Sequence, residues 1–472
     1  MKQVIFPVKV VESVNIENVN ALMVKRPLQI DLYEQNVAAV GKDGGYLILD
    51  FGKEMCGGIR ILTTTVSSND GVNVRIRFGE SLTECCAELG EKNANNDHSP
   101  RDIQKLIVFA SDISAGETGF RFVRIDFQKG IAVGIKNIVC ENRILRLPQI
   151  NRYNGKDKTV KQIFETAKRT LDLCSSGKFI WDGIKRDRLV WSGDLYVEVL
   201  SLTYLYGKVK QIETTLDFER THAKFQGKWI SMLTTYDLWW AACVAEYYEQ
   251  VKNAEFTEKQ LDYVETVVSQ INDLVDEDGT MNYFDYFFEW NTRNTDEEKI
   301  GARFISIFTL NKIIGLLKAF GKDVTVAEKL KAKLMKFEMP ELKRKQVIAL
   351  KYFALGTLTD KEYAKLVADG AEGISTFMSY FVLKAIASKD AARAVEIMKE
   401  YFSAMIDKGA TTFWEDFDIS WVKGSCRIDE YPKDGEKDIH GDYGKHCYLG
   451  FRHSLCHAWS SGVIKFIAEY CN

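Results

Sequence analysis

The run Val72-Asn73-Val74-Arg75-Ile76-Arg77-Phe78 alternates apolar with polar side chains, the period-2 pattern of a strand with one buried face. Val123, Ile125 and Phe127, separated by Arg124 and Asp126, repeat it. Gly44-Gly45, Gly57-Gly58, Asn69-Asp70-Gly71 and Gly116 supply turn chemistry between such runs. Short strands at this spacing predict a β-sandwich over residues 1–147. The polar stretch from Glu91 to Arg101 reads as a long exposed loop.

From about Thr159 the apolar period becomes helical, and only Pro340 lies between Pro148 and Pro432, so long helices run uninterrupted. Twelve are expected, near 157–174, 194–207, 208–221, 229–252, 257–274, 297–319, 324–337, 340–355, 359–368, 371–387, 390–407 and 453–470. Asn253, Gly321 and Gly370 mark some of their ends. Short connections make antiparallel neighbours, and twelve helices in hairpin succession suit an (α/α)6 barrel over 148–472. A helical repeat array would give a similar period, but no fixed-period self-similarity is present.

The 472 residues carry 63 basic and 66 acidic side chains, a net charge of −3. Without a basic domain there is no electrostatic case for nucleic acid or for an anionic membrane surface. The N-terminal MKQVIFPVKVVESVN mixes charges into a short apolar run, unlike a signal peptide. No uninterrupted apolar run approaches the ~20 residues that span a bilayer. The ten cysteines are scattered without a C-x-x-C pair, which reads as reduced thiols and a cytoplasmic location. A secreted protein that has lost its signal peptide is the alternative.

Three stretches could carry chemistry. In Trp181-Asp182-Gly183-Ile184-Lys185-Arg186-Asp187-Arg188-Leu189-Val190-Trp191-Ser192-Gly193-Asp194, three carboxylates are interleaved with three cations, and two glycines argue for a constrained loop. Asp194 also suits an ordinary helix N-cap, Asp187 a surface ion pair with Arg186 or Arg188, and Asp182 a turn. In Ala410-Thr411-Thr412-Phe413-Trp414-Glu415-Asp416, the aromatics place Glu415 beside apolar surface, although a solvated loop acid fits too. His440, His446, His453 and His457 form a C-terminal group. His453 and His457 are four apart, but there is no H-E-x-x-H and no third ligand, so no metal and no cofactor is expected. All nine tryptophans fall between Trp181 and Trp459. Each is either core filling or a flat face for a sugar ring, and Trp181, Trp191, Trp414 and Trp459 lie close to acids or histidine.

At these residues the chain resembles the bacterial α-L-rhamnosidase family of six-hairpin glycosidases. Arg188-Leu189 and Trp191-Ser192-Gly193-Asp194 are similar to that family's R-D-E-R-L-G-W-T-G-D run. Gly409-Ala410-Thr411-Thr412-Phe413-Trp414-Glu415 resembles its G-A-T-T-x-W-E segment, and Ser454-Leu455-Cys456-His457 its S-L-x-H motif. Leu49-Asp50-Phe51-Gly52, Arg77-Phe78-Gly79-Glu80 and Gly119-Phe120-Arg121-Phe122-Val123-Arg124 resemble its preceding β-sandwich.

The resemblance implies hydrolysis of a terminal α-L-rhamnosyl residue, or a related deoxy-sugar, with inversion. It puts Asp187 at the general acid and Glu415 at the general base. It gives Asp182, Asp194 and His457 to the sugar hydroxyls, beside Arg186, Trp191, Trp414 and Trp459. An inverting enzyme needs its two carboxyls roughly 6.5–9.5 Å apart across the ring. Asp187 is one methylene shorter than the family's Glu, and Val190 replaces its Gly. Two rival readings stay open. One is a polysaccharide lyase with Tyr236, Tyr283 or a C-terminal histidine as base. The other is a catalytically weakened carbohydrate-binding relative.

Overall fold

A computed structural model describes residues 2–223 and 227–472. Its first part is one antiparallel sheet built from β1 (Gln3–Ile5), β2 (Lys9–Val14), β3 (Ile16–Glu17), β4 (Ala38–Val40), β5 (Gly45–Val66), β6 (Val72–Gly79), β7 (Asp102–Ile107), β8 (Asp112–Phe127) and β9 (Val133–Asn142). The order is β3-β4-β9-β5-β8-β6-β7, with β1 added on β9 and β2 on β5. The 22-residue β5 pairs β2 through Tyr46–Asp50 and β9 through Gly57–Val66, and its register with β8 breaks between Asp50 and Met55. Such an irregularity bends a strand, so one strand serves two regions of the sheet.

Alternation sorts the faces. Leu47, Leu49, Val74, Ile76, Val123 and Ile125 enter the main β core. Ile48 and Phe122 point the other way, beneath the short helix α1 (Leu82–Cys86). This helix escapes the sequence pattern; it is started by Ser81, whose hydroxyl accepts the Glu84 N–H at 3.2 Å.

Among the described residues twelve further α-helices follow: α2 (Lys158–Cys174), α3 (Leu195–Tyr206), α4 (Lys210–His222), α5 (Thr234–Val251), α6 (Ala254–Asp273), α7 (Glu298–Ala319), α8 (Thr325–Leu334), α9 (Lys345–Leu355), α10 (Asp360–Val367), α11 (Ser379–Ala387), α12 (Ala391–Asp407) and α13 (Val463–Tyr470). α3 packs on α5, α5 on α7, α7 on α9 and α9 on α11. The 3-10 turn Ala458–Gly462 and α13 then return against α3 and α11. α2, α4, α6, α8, α10 and α12 lie on the outside of these. α3 is buried everywhere except Tyr204, and α5 is buried without a break from Thr234 to Tyr247; a helix that is apolar all round belongs in an interior. α7 has the length and composition of a membrane span, yet 72% of its most apolar window is buried among the other helices.

Four helices start five or more residues later than their periodicity predicts, at Thr234, Lys345, Ser379 and Val463. The residues before them line cavities instead. Ser375 and Thr376 bond to Glu289 and to the Glu415 carbonyl rather than extending α11. The 91–101 stretch is an exposed loop only in part: Glu91, Lys92, Asn93, Asp97 and Pro100 are exposed. Ala94, Ser99 and Arg101 are buried, Arg101 donates to the carbonyls of Phe78, Glu84 and Ala87, and the Ser99 hydroxyl donates to Lys185 O at 2.7 Å. The segment wedges the sheet against the helices.

Candidate active site

The 182–194 loop is shaped by its own backbone. Asp182 N donates to Leu189 O at 3.1 Å, and Asp182 Oδ1 accepts from Leu189 N and Gly183 N at 3.0 and 2.7 Å. Asp187 and Arg188 are both left-handed, with φ of 56° and 55°. Two consecutive non-glycine residues in that region store about 1–3 kcal/mol each, a cost that surrounding contacts must hold in place. At Gly193 a Cβ would lie 2.4 Å from the Tyr236 ring, so only glycine permits this approach.

The backbone of 454–458 is hydrogen-bonded to this loop, and that of 413–415 is hydrogen-bonded to 454–457 in turn. Ala458 N donates to Asp182 O at 2.7 Å, His457 N to Phe413 O at 3.0 Å, and Glu415 N to Ser454 O at 3.0 Å. The three motifs, far apart in sequence, therefore meet as neighbouring strands of backbone.

They surround a cavity of about 120 Å³ lined by Asp182, Arg186, Asp187, Trp191, Asp194, Leu233, Tyr236, Phe287, Trp290, Glu415, Cys447, Tyr448, His457 and Trp459. Of the nine residues anticipated, eight line it. Trp414 does not: it is fully buried, edge-on to Phe417 and His453 at 5.5 and 6.4 Å between ring centres. It is a core residue, out of reach of the cavity, so the contact with sugar expected of it does not form. The paired backbones of 413–415 and 454–457 explain this, since successive side chains of strand-like chain face opposite ways. Trp181 also lies outside, with Arg188 and Arg143 over its ring.

Arg186 organises the acids. It clamps Glu415 through Nε, 3.3 Å from Oε2, and through a terminal nitrogen on Oε1, while its other terminal nitrogen is 3.3 Å from Asp187 Oδ1. The Arg186 guanidinium also lies over the Tyr448 ring at 4.9 Å. Glu415 Oε2 accepts Ser454 N at 3.1 Å, and His457 Nε2 lies 3.4 Å from Oε1 and 3.9 Å from Asp194 Oδ2. Burial pushes Asp182 and Asp194 well above the usual carboxyl range, reinforced for Asp182 by Asp187 and Asp194, and for Asp194 by Glu198 and Glu415. Burial, with Arg186 adding to it, holds His457 well below its ordinary value. Burial thus disfavours the charged forms of both acids and of the imidazole beside the Arg186–Glu415 pair. Asp194 makes no side-chain cap to α3, so its N-cap reading does not hold.

Trp459 donates Nε1–H to Glu415 O at 2.9 Å and stacks on Phe377, while Trp191 meets Tyr236 edge-on. Leu233, Phe287, Trp290, Cys447 and Tyr448 also line the wall and were not anticipated. They come from segments beside helix ends, with no local chemical signal. Tyr283, weighed as an elimination base, does not line the cavity; its hydroxyl is paired with Ser306 at 2.7 Å.

Of the other C-terminal histidines, His446 stacks on Trp290 at 5.3 Å, while His440 and His453 have hydrogen-bond partners. His453 Nε2 accepts Asp416 N at 2.9 Å, and His440 bridges Ser81 Oγ and His453 O at 2.8 and 2.9 Å. Glu80, Glu84 and His440 converge closely enough to suggest a cation site. The Lys185 ammonium already lies there, 3.0 Å from Glu80 and 3.1 Å from Glu84, and it also donates to the carbonyls of Phe451 and His453. Its charge answers the two carboxylates and repels a second cation.

Beyond Glu415 a small void of about 10 Å³ is lined by Glu289, Ser375, Thr376, Asp416 and others. A larger cleft of about 580 Å³ follows, shared by Asn291, Asp416 and a ring of lysines; it contains none of the paired acids.

No family model matches the chain, and no curated protein does. Solved structures do. A rhamnosidase from Klebsiella oxytoca with rhamnose bound aligns over 100% of this chain and 96% of its own, with a TM-score of 0.73 and 18% identity. The GH78 family rhamnosidase of Bacillus sp. GL1 aligns over 96% of this chain with a TM-score of 0.74 and 17% identity. A Streptomyces avermitilis α-L-rhamnosidase complexed with L-rhamnose covers 89%, with a TM-score of 0.63 and 13% identity. The chain spans nearly all of the first and 48% and 42% of the other two. At these identities the likeness is one of fold.

Proposed function

We propose that the chain is an inverting glycoside hydrolase that removes a terminal α-L-rhamnosyl, or related deoxy-sugar, residue. Its helical part, 148–472, is taken as an (α/α)6 barrel, supported by the return of α13 onto α3 and α11. The sheet of 1–147 is taken as a β-sandwich folded about the bend in β5. The ten free thiols favour a reducing, cytoplasmic location.

In this reading Asp187 protonates the leaving oxygen and Glu415 activates the water on the opposite face. Asp182, Asp194, Arg186 and His457 hold the sugar hydroxyls, and Trp191 and Trp459 flank the ring. The observation that carries the reading is that one guanidinium touches both acids. Spanning it keeps their nearest oxygens within about 8 Å, an upper bound that admits the spacing of an inverting pair and the ~5–5.5 Å of a retaining pair alike, so the anomer first formed decides the mechanism.

The test offers an aryl α-L-rhamnoside to the wild type, Asp187→Asn and Glu415→Gln, with NMR of the first-formed anomer. Both variants should lose at least a hundredfold in kcat, and the product should be inverted. Full activity in either variant removes that assignment, and a retained anomer removes the mechanism. The tight Arg186 clamp favours a second reading, a carbohydrate-binding relative with weakened catalysis. That protein would bind rhamnose by calorimetry and release no reducing sugar.

A further inference from the structure

The 91–101 segment belongs to the sheet part of the chain, yet it brings a side chain to the candidate acid. His98 Nδ1 lies 2.8 Å from Asp187 Oδ1. Arg186 contacts the same oxygen at 3.3 Å. Among the described residues no hydrogen bond reaches Asp187 Oδ2. Two partners on one oxygen leave the other free, and Asp187 lines the cavity.

The far side of the imidazole indicates its tautomer. Arg452 Nη2 is 3.5 Å from His98 Nε2, and Arg452 also pairs with Asp97 at 2.6 Å. A guanidinium only donates, so Nε2 accepts and the ring proton sits on Nδ1, where it donates to Asp187. Asp97 Oδ2 lies 3.6 Å from Nε2, and Lys185, Arg186 and Glu84 share the small void next to the ring. His98 is thus held between fixed charges of both signs.

We propose that His98 is a positioning residue for the acid step. Its Nδ1–H holds Asp187 Oδ1, so that Oδ2 carries the proton delivered to the leaving oxygen. The carboxylate left behind keeps that hydrogen bond, and its Oδ2 is reprotonated from water after the aglycone departs. The sheet part therefore completes the site rather than merely flanking it. This inference rests on the glycosidase reading above and assigns a residue to it.

The experiment compares two rhamnosides in the full chain. One has a 2,4-dinitrophenolate leaving group, which departs without a proton; the other has an alkyl leaving group, which requires one. His98→Ala should reduce kcat tenfold or more on the alkyl glycoside, change it less than threefold on the dinitrophenyl glycoside, and leave KM nearly unchanged. His98→Asn, whose amide can donate from near the Nδ1 position, should recover part of the loss. Equal losses on both substrates, or none on either, overturn the role of His98 while the glycosidase reading stands. A wild type inert on both substrates overturns the two together.

Discussion

Arg186 and Glu415 face each other side-on inside the protein, with 8% and 1% of their side chains exposed. A pair so placed gains its attraction in a medium that would punish either charge alone. Arg186→Met should therefore destabilise the fold by about 3–5 kcal/mol, and adding Glu415→Gln should recover part of that loss. Urea unfolding of the two single variants and the double variant measures the coupling. Additive losses would mean that the pair is not a unit.

Trp414 and Trp459 separate packing from binding. Trp414→Ala should cost about 3–5 kcal/mol of stability, because it empties a core site, with little change in rhamnose affinity once folded. Trp459→Ala opens the cavity wall and should weaken rhamnose binding more than tenfold. Thermal melts and calorimetry on both variants check this, and the reverse pattern would place the sugar on the other side of the 413–415 segment.

Gly193→Ala drives a methyl group into the Tyr236 ring. Overpacking of this kind costs about 1–3 kcal/mol. Gly193→Ala combined with Tyr236→Leu should recover stability, since the ring is the obstacle. Unfolding midpoints of the single and double variants measure it.

Buried carboxyls give the chain a pH-dependent stability. Burial pushes Glu289 up to about 8, Ser375 opposing and Asp416 adding to it, and pushes Asp237 up to about 7. In the unfolded chain Glu titrates near 4.3. Between about pH 4 and pH 8 the unfolded state releases a proton that the folded state keeps. Stability from this group is therefore lost as pH rises through that window and levels off above it. Glu289→Gln should flatten the profile, leaving stability at pH 5 little changed and raising it at pH 9 by a few kcal/mol. Melting temperatures at the two pH values decide it.

Much of the site was legible because its chemistry is local. Asp182, Arg186, Asp187, Trp191 and Asp194 sit in one loop whose glycines and charges exclude a helix. Glu415 and His457 each lie in a short segment too polar to be core and too aromatic to be surface. Trp414 misled because proximity to an acid in sequence says nothing about which way an extended residue turns. His98 was hidden by composition: the stretch from Glu91 to Arg101 is as polar as an exposed loop, and its burial comes from a surface of α1 and Lys185 that no local pattern announces. The helical period gave the number of long helices, whereas the late starts of α5, α11 and α13 depend on cavity walls formed by residues distant in sequence.

Lys185 and Arg186 are successive residues that tie the two parts of the chain together, the first through Glu80, Glu84 and the carbonyls of Phe451 and His453, the second through Glu415. They act like a rivet through a seam. Shear between the two halves, even by a fraction of an ångström, would be felt in the pit as a turn of the Arg186 fork.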